Sequence, residues 1–170
     1  MKKLNSLLIL LLIGSIVFIT KLNAISSSES VKLSVEIKEF LLLEIFTPSQ
    51  TLTNCGQSSA QVTTNFNIDD NPVNIRVILS VPRNQEVQLR VQTYGDLINS
   101  QGETFPISNV AWQASGAGFN DGILSKDSPQ IMASWTGQGF YQGTINYFYV
   151  KSPSSPGDYT QTITYNLVIP

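Results

Sequence analysis

Residues 73–92 read VNIRVILSVPRNQEVQLRVQ. Val73, Ile75, Val77, Leu79 and Val81 alternate with Asn74, Arg76 and Ser80, and after VPRNQ the residues Val87, Leu89 and Val91 alternate with Gln88, Arg90 and Gln92. Period-two alternation of apolar and polar residues is the mark of a half-buried strand, and two such runs around a short polar turn predict a β-hairpin. Each strand then has one apolar face in need of cover. The rest of the chain supplies it.

VKLSVEIKEFLLLEIF, residues 31–46, places Val31, Leu33, Val35, Ile37, Leu41, Leu43 and Ile45 on one parity, and Glu39 interrupts the row. A bend near Lys38 and Glu39 divides this run into two strands. Val62, Thr64, Phe66 and Ile68 alternate with asparagine and threonine before the turn signal DDNP. The ending PGDYTQTITYNLVIP, residues 156–170, carries Tyr159, Gln161, Ile163, Tyr165 and Leu167 on one side and Thr160, Thr162, Thr164 and Asn166 on the other. Ile163, Tyr165 and Leu167 are expected between two sheets, with a partner for the Tyr165 hydroxyl. PSSPG is expected to tie this strand to FYQGTINYFYVKS as a second hairpin. No mature stretch of ten or more residues repeats apolar positions at helical spacing. The fold class is therefore all-β, a single immunoglobulin-like antiparallel β-sandwich of 7–9 strands.

The chain opens with MKKLNSLLILLLIGSIVFITKLNA. Two lysines, an apolar run from Leu7 to Ile19 and a small residue at Ala24 form a secretory signal peptide over residues 1–24, leaving residues 25–170 as one domain. The run is shorter than a membrane-spanning helix requires, so no membrane span is expected in the mature chain. Loss of Lys2, Lys3 and Lys21 from the ten basic residues leaves seven against twelve acidic ones, a net charge of −5. That balance excludes nucleic acid as a partner. Cys55 is the one cysteine and is expected as a buried thiol. The localisation implied is secreted, at the cell surface or in the periplasm.

Histidine is absent. The commonest general base, the His-activated nucleophiles and imidazole metal sites go with it. The acidic residues are scattered apart from Asp69 and Asp70, which a turn explains. Weak calcium binding there, or at Asn120, Asp121 and Asp127, is the one metal option the loops offer. TGQGFYQG lacks the following helix that a phosphate loop needs. Trp112, Trp135, Phe140, Tyr141, Tyr147 and Tyr149 suggest a sugar-stacking platform as an alternative function, although Tyr147 shares the parity of Ile145 and suits a core. An isopeptide bond between Lys32 or Lys38 and Asn166 has the right residue types on the wrong, polar face. The expectation is a protein that is not an enzyme, with no cofactor and no metal site.

The signal, the early strand VKLSVEIKEFLLLEI, the segment FPISNVAW and the ending PGDYTQTITYNLVIP together resemble bacterial secreted fimbrial-type subunits, colonisation-factor fimbrins and spore coat protein U-like domains. The resemblance implies a structural subunit of the cell surface that forms a homo-polymer or joins other surface subunits, with a periplasmic chaperone. It implies further that Val31, Leu33, Val35 and Ile37 form a strand donated to a neighbour; the alternative is that Val31 to Ile37 is the first strand of its own sandwich. Gly157 stands where many such pilins carry a glycine near the end, whereas Ile169 replaces their penultimate aromatic.

Overall fold

The computed structural model describes residues 38–170. Among the described residues twelve strands form two antiparallel sheets packed face to face. In chain order they are β1 Phe40–Phe46, β2 Thr51–Gly56, β3 Ser59–Asn67, β4 Val73–Ser80, β5 Glu86–Thr93 and β6 Leu97–Ile98. There follow β7 Thr104–Phe105, a 3-10 turn at Ile107–Asn109, β8 Val110–Ser115, β9 Gly122–Ile123, β10 Gln130–Thr136, β11 Gly139–Tyr149 and β12 Thr160–Val168. Three of these strands span two residues each, so nine long ones build the sandwich, as the alternation predicts. Among the described residues no helix is long and apolar enough to cross a membrane.

The first sheet runs β2-β1-β4-β11-β8-β9. The second is centred on β12, which has β3 along one edge and β5, then β6, along the other, with β10 outside β5. Both expected hairpins are therefore corrected. β4 and β5 lie in different sheets, and so do β11 and β12. Alternation reports that one face of a strand is buried; it does not report which strand lies alongside. Val81, itself buried, and an exposed turn in which the Gln85 amide donates to the Pro82 carbonyl at 3.0 Å carry the chain from one sheet to the other. Val77 and Leu89 thus sit in opposite sheets of one core.

Ile163, Tyr165 and Leu167 are buried to 1% exposure or less, in the register expected. The Tyr165 hydroxyl meets the Tyr147 hydroxyl of the other sheet at 2.9 Å, and burial pushes both phenols above their ordinary pKa. This pair forms a polar link through the middle of the apolar core. Replacing Tyr147 by Phe is expected to cost about 1–3 kcal/mol, because it strands the other hydroxyl without a partner. Replacing both by Phe should cost less than the sum of the two single changes, so urea titration of the four-protein cycle would reveal a coupling energy. Additive losses would show that the two hydroxyls act independently.

The glycine-rich loop ASGAGFNDG is held by two indoles. Trp112 Nε1 donates to the Asn120 carbonyl at 2.7 Å and Trp135 Nε1 to the Ala117 carbonyl at 2.8 Å. The loop backbone then closes the outer edge of β10, with the Asn120 amide donating to Met132 and the Ser134 amide to Gly118. Gly122 is required here, since a Cβ would collide with the Trp112 ring.

Candidate functional site

Among the described residues no three His, Cys, Asp or Glu side chains converge as metal ligands. Asp69 and Asp70 occupy a turn in which their amides donate to the Asn67 side chain and carbonyl at 3.1 and 3.0 Å. Asp121 accepts the Ala114 amide at 2.7 Å, and Asp127 is exposed. Asp96 accepts from Lys126 at 2.7 Å and from the Ile107 amide at 3.1 Å, and these two bonds hold its carboxyl below the usual range. Asp96 and Asp121 thus have local structural duties, and the Asp69-Asp70 pair belongs to its turn. No catalytic constellation is built from them.

The six aromatics named as a sugar platform do not form one. Trp112, Trp135 and Tyr147 are buried, Tyr141 is half-buried and stacked on Trp135 at 4.9 Å, Tyr149 is half-buried, and Phe140 alone of the six is well exposed. Lys38 precedes the first sheet whereas Asn166 lies in β12 of the second, level with Gln61 and Arg90. Cys55 is exposed on β2, which corrects the buried thiol. β2 is the edge of the first sheet, and TLTNCG offers no apolar row by which a reader of the sequence could place it.

The most distinctive surface is the outer face of the first sheet. Leu41, Leu43 and Ile45 point inward at 0% exposure, so their neighbours in β1 point out. Strand register sorts the outward side chains into transverse rows. Cys55, Leu42, Ile78 and Phe140 stand side by side across β2, β1, β4 and β11. The next row is Thr53, Glu44, Arg76 and Gln142, and the one after it Thr51, Phe46, Asn74 and Thr144, continued by Ser115 on β8. Arg76 Nη1 donates to Glu44 Oε2 at 2.9 Å, and its guanidinium lies 5.1 Å from the centre of the Phe46 ring. Where β8 leaves the sheet after Ser115, a shallow depression of about 510 Å³ opens beside Arg76 and Gln142. Among the described residues Glu44 and Arg76 are the only charged side chains at the outward strand positions of this face.

The sequence carries a trace of this surface. In Leu41-Leu42-Leu43 and Val77-Ile78-Leu79 both parities are apolar, which signals a strand with two faces to cover. Only the cross-strand register shows that Leu42, Ile78 and Phe140 form one row.

Val31, Leu33, Val35 and Ile37 lie outside the described residues. What the structure does show is the point at which the chain enters the sheet. Phe40 pairs with Ser80, the last residue of β4, and Leu41 with Gly56, the last residue of β2. Both neighbours of β1 end at that level. No family model, curated protein or solved structure matches the chain.

Proposed function

We propose that this protein is a secreted, non-enzymatic structural subunit of a bacterial cell surface, of fimbrial type, which assembles through the segment Ile25–Ile37. The observation that carries the reading is the end of the ladder at β1. With β4 and β2 both finishing opposite Phe40 and Leu41, the described strands offer no partner on either side to an extension of β1 toward Ile37. The alternating apolar row Val31, Leu33, Val35 and Ile37 suits strand addition, in which backbone bonds give affinity and alternate side chains give register.

An acceptor edge is available. Among the described strands β2 pairs only with β1, and Thr51–Gly56 contains neither a charge nor a proline to protect its free edge. The central position of β12, between β3 and β5, argues that the other end of the domain is satisfied within its own chain.

Deleting residues 25–37 tests the reading. The truncated chain is expected to keep its cooperative unfolding transition and to lose the ability to form higher assemblies in sedimentation. Unfolding of the truncated monomer would assign the segment to its own core and remove the basis of the proposal.

A further inference from the structure

We propose that the outer face of the first sheet is a self-association surface, on which two copies of this chain stack face to face about a two-fold axis running along the strands midway between β1 and β4. The inference rests on the order of side chains across the sheet and is independent of the segment before β1.

A two-fold axis in that position leaves each row at its own level and reverses it from side to side. β1 of one copy then faces β4 of its mate, and β2 faces β11. In the apolar row Leu42 meets Ile78 of the mate, and Cys55 meets Phe140. In the charged row Glu44 meets Arg76, twice. The face is thus complementary to itself in both polarity and sign, which is the condition for an isologous interface. A shift of the axis by half a strand spacing, onto β4, would break this match and set Arg76 over Arg76.

Electrostatics also selects a second copy as the occupant. The chain is acidic overall, yet among the described residues β2, β1, β4 and β11 present one acid and one base on this side, and these are bonded to each other. It is the side on which two acidic molecules approach with least repulsion. Phe40 and Phe140 are 38% and 57% exposed, a cost in water that stacking removes. Four strands at about 4.8 Å spacing and roughly 25 Å of strand length give a projected overlap on the order of 500 Å² per copy, which places the pair among small, reversible interfaces.

Charge exchange tests the geometry. Glu44→Arg puts arginine opposite arginine in the paired state, and Arg76→Glu puts glutamate opposite glutamate. The purified chain is expected to reach a monomer–dimer equilibrium in sedimentation at high concentration, with Cys55 slower to alkylate as the dimer forms. Each single variant, shown to be folded by circular dichroism, should lack this closed dimer. An equimolar mixture of the two should recover the dimer, because the arginine introduced at position 44 of one variant then faces the glutamate introduced at position 76 of the other. Phe140→Glu should abolish pairing, whereas Ile131→Glu, on the second sheet, should leave it intact. A parent chain that stays monomeric, or a mixture of folded variants that fails to pair, overturns the proposal. Two-fold stacking closes at two copies while strand donation is open-ended, so an unmodified chain that forms longer assemblies but no closed dimer would count against this face alone.

Discussion

Trp112→Ala is expected to lower the free energy of unfolding by about 3–5 kcal/mol. The indole is 1% exposed, lies edge-on to Tyr147 with ring centres 6.5 Å apart, and donates to the Asn120 carbonyl. Truncation therefore opens a void in the core and also releases the loop that closes the edge of β10. The two losses should appear together. In denaturant titration the midpoint should fall, and amide exchange should accelerate at Asn120 and Ser134 beyond what global destabilisation explains. A cost below about 1 kcal/mol would mean that the loop holds its place without the indole.

Leu167→Ala follows, at about 2–5 kcal/mol. Leu167 has 0% exposure and stands between Ala60 of β3 and Leu89 of β5, so its side chain belongs to the central strand of the second sheet. Central strands are hemmed in on both edges and relax poorly around a cavity. The change is measured as the shift in urea midpoint at constant slope. A shift worth a few tenths of a kcal/mol would put this parity of β12 in contact with solvent.

The strands of this protein were legible wherever one face is apolar and the other polar. Val73–Val81, Val87–Val91 and Tyr159–Leu167 show their buried sides in the sequence, and the structure buries those sides. Pairing was not legible. A polar five-residue connection such as VPRNQ serves a hairpin or a crossing between sheets equally well, and the choice is made by the whole core. β2 went unseen because TLTNCG lies at an edge, largely exposed, and edge strands need no apolar row. The exposure of Cys55 follows from the same cause. Of the candidate interaction surface, the sequence shows only the apolar doublets Leu41-Leu42 and Ile78-Leu79. The opposition of Glu44 and Arg76 depends on a register set by residues elsewhere in their strands.

The place of β12 has a consequence for the birth of the molecule. Thr164 bonds to Thr63, 101 residues earlier, and the same strand separates β3 from β5 along most of its length. The second sheet consequently has no centre until residues 160–168 have been synthesised. The β1, β2 and β4 ladder can form early, but β3 and β5 must wait, each with an apolar side and a vacant edge. Such a nascent chain folds late and slowly, and it is prone to aggregate in the interval. The same delay would serve the secretion proposed above, since the topology itself postpones the compact state while the chain is still an extended polymer.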